Sequence, residues 1–210
     1  MQVAIDGLTR VGKTSITKKL GEKLNYPVCN SGNIYRLITL DLLDNFITIK
    51  DKDQIIKRLP NIKINITPSG MFLNGKEVSN RLEDKIIFQN TIDFSTIKEI
   101  KEYVRVIQKE FIKTNQDLIM EGRDISTRIM PNADIKFYLY ASLDKRAKRL
   151  IEKMKGLTIE QAQKEIEERD QKDIESGNFL KPKNAIEIDT TILSIDEIVD
   201  IMLEKINNVK

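Results

Sequence analysis

Histidine is absent from all 210 residues, and cysteine occurs once, at Cys29. The first absence excludes Ser-His-Asp and Cys-His catalysis and every histidine-ligated zinc site. The second excludes a disulfide framework and a cysteine-rich metal site, and it matches a reducing cytoplasm. Five prolines and nine glycines are too few for a collagen-like or low-complexity chain. No apolar run approaches about 18 residues, so no membrane-spanning helix is expected. The start, Met1-Gln2-Val3-Ala4-Ile5-Asp6, lacks the basic and long apolar regions of a secretory signal. An excess of one charge is also missing. Against 35 basic residues stand 32 acidic ones, and the remaining +3 is too small for a nucleic-acid footprint.

What is present is a core-forming composition, 40% hydrophobic, on a chain long enough to bury roughly 70% of its unfolded surface. The expectation is one domain, residues 1–210, acting as a cytoplasmic monomer on small molecules, with no nucleic-acid or membrane partner.

The chain alternates strand and helix signals. Val3-Ala4-Ile5 fits a buried strand and is followed by a helix from about Lys13 to Leu24, with Ile16, Leu20 and Leu24 four residues apart. A short strand at 27–30 precedes a second amphipathic helix through Ile34, Leu37, Ile38 and Leu42. Between about 60 and 80 the period changes to two. Ile62 to Ile66 alternates, Met71-Phe72-Leu73 follows Pro68-Ser69-Gly70, and Asn74-Gly75 is a hairpin turn signal. A long helix through Ile97, Ile100, Val104, Ile107 and Phe111 follows. Three further strands are read at 118–120, 135–139 and 185–189, with a closing helix from Ile195 to Ile206. This pattern implies an α/β fold: a parallel, doubly wound sheet carrying a small antiparallel insert at about 60–95.

Residues 144–175 hold 9 basic and 9 acidic residues among 32. On its own this is either a solvated pair of helices laced with ion pairs or a mobile lid that carries arginines to a phosphate site.

Gly7-Leu8-Thr9-Arg10-Val11-Gly12-Lys13-Thr14 matches G-x-x-x-x-G-K-[ST], directly after the first strand and opening the first helix. Gly7 and Gly12 allow backbone that a Cβ would forbid. The loop N–H groups and the helix N-terminus then point at phosphate oxygens. Lys13 reaches the β- and γ-phosphates, Thr14 offers a hydroxyl to Mg²⁺, and Ser15 adds a donor near the α-phosphate. Arg10 either touches phosphate or points to solvent. No guanine-reading N-K-x-D occurs, and the chain is short for a mechanochemical ATPase. Kinases of small molecules remain, and they need an acceptor site. Arg36 and Arg123 follow the second and third core strands, where ligands of open α/β sheets bind, and arginine suits a dianionic phosphate.

These motifs resemble those of the bacterial cytidylate (CMP/dCMP) kinases over nearly the whole chain. The shared elements are A-I-D-G, the P-loop, S-G-x-x-Y-R at 31–36, G-R-D at 122–124, a P-x-A-x-x-x-F-x-L strand, E-R-D-x-x-D at 168–173 and D-T-T-x-L-S-I before the last helix. The resemblance implies a P-loop three-layer fold with a five-stranded parallel sheet, an acceptor-binding insert and a helical lid at about 144–175. It implies transfer of the γ-phosphate of ATP to CMP or dCMP, with Mg²⁺. Carried over, Gly7 through Ser15 bind ATP. Ser31, Arg36 and Arg123 hold the acceptor phosphate, Asp124 orients Arg123, and Arg169 and Asp173 meet the acceptor sugar. Arg146 and Arg149 act with Lys13 and Arg123 on the transferring phosphoryl group, and Glu121 joins Thr14 in the Mg²⁺ shell. Tyr35 is either a core aromatic or a contact to the base.

The departures fall mainly on the base reader. Where the family reads cytosine with a serine and two arginines, this chain has Ile92, Lys101 and Ser176. The paired lid arginines read Arg149-Leu150, the usual Asp is Glu121, and Ser126 replaces a glycine. Two alternatives follow: a kinase of UMP or another small acceptor, and a catalytically weak nucleotide-binding regulator. The attacking group would be an ionised phosphate oxygen, so no general base is required and the lack of histidine is no obstacle.

Overall fold

The computed structural model describes residues 1–67 and 70–209; Pro68 and Ser69 of the insert's expected hairpin lie outside the described residues. The chain divides into two compact units, residues 1–28 with 116–210, and residues 29–115.

The strands and helices run β1 (Gln2–Asp6), α1 (Lys13–Leu24), β2 (Val28–Asn30), α2 (Ser31–Asp44), α3 (Lys52–Arg58), β3 (Ile64–Thr67), β4 (Gly70–Leu73), β5 (Lys76–Glu77), α4 (Lys85–Phe94), α5 (Lys98–Thr114), β6 (Leu118–Gly122), β7 (Ile135–Tyr140), α6 (Leu143–Lys153), α7 (Ile159–Glu175), β8 (Ile186–Asp189) and α8 (Ile195–Asn207). A five-stranded sheet has the order β2-β6-β1-β7-β8. The central strand β1 runs parallel to β6 and β7, with Ile5 level with Glu121 and Phe137, and Asp6 level with Gly122 and Tyr138. β8 is parallel to β7. β6 and β7, consecutive among these strands, therefore flank β1 on opposite sides, and the carboxyl ends of the parallel strands β1 and β6 open on the same edge, where such sheets bind ligands.

In the first unit the β-branched run of β1 is buried on both faces. Val3 and Ile5 pack with Phe137, Leu139 and Ile188 from the sheet, with Ile16 and Leu20 of α1, and with Ile198 and Met202 of α8. Burial on both faces is why these strands read as continuous apolar runs rather than alternating ones. α8 starts on a capping box in which Ser194 and Glu197 each satisfy the other's amide. The charged segment forms two helices, α6 and α7, joined by a small apolar seam of Ala147, Leu150, Ala162 and Ile166. α7 opens on a second capping box, Thr158 with Gln161.

In the second unit α2 packs against α4 and α5. The insert is an antiparallel sheet in the order β3-β4-β5. Its second turn is Asn74-Gly75 as expected, and both residues have positive φ, 50° and 83°, the conformation of a two-residue type I′ hairpin turn. Two helices go beyond the sequence reading. α3 is short and buries Ile55 alone, and α4 occupies the end of the stretch 60–95 assigned to the insert, whose antiparallel strands stop at Glu77.

Candidate active site

The phosphate loop runs from the end of β1 to the start of α1. Gly12 caps α1 with φ +98°, a region that a side chain disfavours. Gly7 is required for a different reason than backbone torsion: a Cβ there would lie 2.4 Å from the Leu139 carbonyl oxygen of β7, so the loop passes close against the neighbouring strand. Arg10 has φ +61°, where a non-glycine residue costs about 1 kcal/mol. The hydroxyl-bearing Thr14 and Ser15 are exposed at the first turn of α1.

Lys13 folds back onto its own loop and donates to the carbonyls of Gly7 (2.7 Å) and Leu8 (2.8 Å). The Arg123 guanidinium also donates to the Gly7 carbonyl, at 2.8 Å. Loss of water lowers the Lys13 ammonium to about 7, with Arg123 adding repulsion and Glu121, Asp6 and Asp173 opposing the shift. Glu121, at the end of β6, is 2% exposed. Desolvation raises its pKa, against stabilisation by Lys13 and by hydrogen bonds from Thr14 and Thr17; the Thr17 hydroxyl lies 3.3 Å from Oε1. Unpaired, such a carboxylate would be costly to bury.

Asp173 of α7 is buried and accepts from two arginines, Arg123 Nε at 2.8 Å and Arg169 Nε at 3.3 Å. Asp124 starts a single π-helical turn, Ile125–Ile129, and accepts from Arg128 at 3.2 Å. Arg146 donates to Asp170 and to the Thr9 carbonyl (3.4 Å). Its Nε is buried with no hydrogen-bond partner. Arg149 donates to the Arg10 carbonyl (3.2 Å) and to the Thr190 carbonyl (2.7 Å) and hydroxyl (3.2 Å), and burial lowers its pKa. Thus the structure brings together, in one unit, the loop from Gly7 to Ser15 with Glu121, Arg123, Arg146, Arg149, Arg169 and Asp173. Ser176 ends α7, its hydroxyl on the Lys172 carbonyl.

The second unit holds Ser31, Tyr35 and Arg36 on α2. Asn30 caps that helix by accepting from the Asn33 amide. Ser31 is buried and its Oγ accepts from Gln108 Nε2 at 2.7 Å. Arg36 pairs with Glu83 at 3.3 Å, and its guanidinium sits 5.6 Å from the centre of the Phe88 ring. Tyr35, Ile92 and Lys101 are partly buried, on α2, α4 and α5.

Three residues of this site had no role in the sequence reading. Asp6 is fully buried and accepts from the amides of Ile125 (2.7 Å) and Ser126 (2.9 Å) and from the Ser126 hydroxyl; desolvation raises its pKa and these bonds oppose the shift. Asp170 accepts from the Thr9 amide at 3.1 Å. The Thr190 hydroxyl donates to the Val11 carbonyl at 2.8 Å. Each stands inside a quoted motif, A-I-D-G, E-R-D and D-T-T, and that was the available signal.

A strand, a glycine-bounded loop with Lys13 and a helix whose first turn is open to solvent form a P-loop, on the fold of the P-loop kinases. The same fold appears in crystal structures of a shikimate kinase from Bacteroides thetaiotaomicron (TM-score 0.53, 11% identity, 99% of this chain and 98% of that one) and a gluconokinase from Sinorhizobium meliloti (TM-score 0.52, 10% identity, 99% and 92%). The cytidylate kinase family model matches residues 3–208. The cytidylate kinase of Fusobacterium nucleatum is 35% identical over 99% of this chain and 98% of its own length, and that of Leuconostoc mesenteroides 37% over 94% and 92%. The chain belongs to the cytidylate kinase family.

Proposed function

We propose that the protein transfers the γ-phosphate of ATP to CMP or dCMP, giving ADP and the nucleoside diphosphate. Family membership over nearly the whole chain carries the acceptor. The gathering of Lys13, Glu121 and Arg123 at the ends of β1 and β6, behind the open first turn of α1, supports the transfer chemistry. No helix among the described residues is long and apolar enough to cross a membrane, and we take the working protein to be a cytoplasmic monomer and a single kinase domain.

Phosphoryl transfer needs positioning and charge stabilisation more than covalent catalysis. The loop amides from Gly7 to Ser15 hold the triphosphate. Lys13 exchanges its two carbonyl partners for β- and γ-phosphate oxygens, which restores the full charge that desolvation weakens. Ser31 and Arg36 hold the acceptor phosphate, and Arg123 meets it with its terminal nitrogens while Asp173 fixes its Nε. Arg169 and Asp173 serve the acceptor sugar, and Tyr35 and Lys101 the base. Asp124 fixes the turn that follows Arg123. The unpartnered Nε of Arg146 is a donor ready for a phosphoryl oxygen, and Arg149 steadies the loop from behind. The Thr14 hydroxyl and the Glu121 carboxylate are hydrogen-bonded to each other, so they present two hard oxygens side by side, a donor set that fits Mg²⁺. When bound there, Mg²⁺ neutralises charge on the phosphate oxygens.

A coupled ADP-release assay with Mg-ATP tests this against CMP, dCMP, UMP, AMP and GMP. Turnover with CMP and dCMP well above the others is expected. Preference for another acceptor, or ATP binding without turnover, overturns the assignment.

A further inference from the structure

The carbonyls of the phosphate loop are engaged one after another by side-chain donors. Gly7 and Leu8 accept from Lys13, Thr9 from Arg146, Arg10 from Arg149 and Val11 from Thr190. Carbonyls held outward leave the amides to face an anion, the arrangement of a phosphate nest. One amide departs from this pattern: the Thr9 N–H donates to Asp170 Oδ1 at 3.1 Å, while Asp170 Oδ2 holds the Arg146 guanidinium. The peptide groups on both sides of Thr9 are thereby gripped, its N–H by Asp170 and its C=O by Arg146. Asp170 is 6% exposed, on α7, and Arg146 lies on α6, the helix that shares the apolar seam with α7.

Resting on the kinase reading above, we propose that Asp170 is a positioning residue that couples the shape of the phosphate loop to the placement of Arg146. Its two oxygens do separable work. One fixes the Thr9 peptide, next to the strained Arg10, and so sets the loop that receives ATP. The other holds the Arg146 guanidinium, whose Nε is left without a partner, against the phosphate loop. A carboxylate that touches neither substrate thus governs both ATP affinity and turnover.

Asp170→Asn keeps an oxygen for the Thr9 amide but turns an uncharged amide toward Arg146. Asp170→Ala keeps neither contact. The test is direct titration of the full-length wild type and both variants with ATP in the absence of acceptor, followed by steady-state kinetics with CMP. Asp170→Ala is expected to weaken ATP binding about 10-fold, as for loss of a hydrogen bond to a charged group, and to lower kcat about 10-fold. Asp170→Asn is expected to bring ATP binding back to within about 3-fold of wild type while kcat stays low. Unchanged ATP binding in both variants overturns the proposal, as does equal loss in both. Tighter binding in both also overturns it, by making the carboxylate a competitor of phosphate. Should Asp170→Ala fail to fold, the isosteric Asn variant decides through its split between affinity and kcat. The ATP titration needs no acceptor, so a wild type that rejects CMP defeats the proposed function and leaves this test standing.

Discussion

Residues 1–28 with 116–210 gather a partly buried Lys13 with the buried Glu121 and Asp6 around the phosphate loop, and desolvation shifts all three away from their charged forms. Residues 29–115 bury one carboxylate deeply, Asp41, and satisfy it outright. It accepts from Arg58 at 2.7 and 2.9 Å and from Asn74 at 2.7 Å, pinning α2, α3 and the insert turn together. The first arrangement leaves charge poised for an incoming anion, at a cost in desolvation. The second is a bidentate pair that stabilises its own unit and leaves nothing over for a ligand. Arg36, a candidate acceptor residue of that unit, sits instead in a partly exposed pair that a phosphate can replace: the Arg36 and Glu83 side chains are 23% and 56% exposed.

The largest effect expected from this contrast is at Lys13. Lys13→Met removes the ammonium that donates to the Gly7 and Leu8 carbonyls, and kcat should fall on the order of 10³-fold, the scale of losing a transition-state charge donor. A thermal melt of the same variant separates that loss from unfolding of the site. A variant that keeps a tenth of wild-type kcat would erase the difference between poised and satisfied charge.

Next comes Arg36. Arg36→Ala gives up a partly exposed ion pair of small value to the fold, so stability should change by less than about 0.5 kcal/mol. The KM for CMP should rise about 30-fold, with the KM for ATP unchanged, because a guanidinium–phosphate bond is charge-assisted. A matching rise in both KM values would show that Arg36 serves ATP as well as the acceptor.

The third test is pH. The Lys13 ammonium titrates near 7 in the free protein, so its charge is present below that pH and lost as pH rises through it. Since kcat/KM reports free-enzyme groups and kcat those of the bound complex, kcat/KM for ATP should fall above about pH 7. The break in kcat should lie higher, because bound phosphate charge draws the ammonium pKa back up. In Lys13→Met the residual profile should lose that break.

Much of this was legible in order along the chain. The P-loop, the parallel strands and the Asn74-Gly75 turn are local signals, each complete within a few residues. α3 escaped because its seven residues bury only Ile55, too little to show a period. Asp170, Thr190 and Asp6 escaped for a different reason. Their partners lie 161, 179 and 119 residues away, and no spacing rule reaches that far. The acceptor motif around Arg36 was visible, but its Glu83 and Phe88 partners come from a stretch whose apolar spacing does not distinguish helix from strand until packing selects the helix.

The smallest expected effect compares one backbone conformation in both units. Arg10 of the phosphate loop and Phe46, just beyond α2, hold φ values of 61° and 58°. Phe46 is 92% exposed, so Phe46→Gly gives up little packing. Relief of the left-handed strain, about 1 kcal/mol, is partly offset by the entropy of an added glycine in the unfolded chain. Both Arg10→Gly and Phe46→Gly should therefore stabilise by about 0.5 kcal/mol in urea denaturation. Their effects on activity should differ. Phe46→Gly should leave both KM values unchanged. Arg10→Gly removes a cation from the loop and should raise the KM for ATP about 3-fold, the scale of an exposed charge near an anion. If Arg10→Gly gains stability with no change in KM, the Arg10 side chain takes no part in holding phosphate, and its strain is a property of the loop backbone alone, as at Phe46.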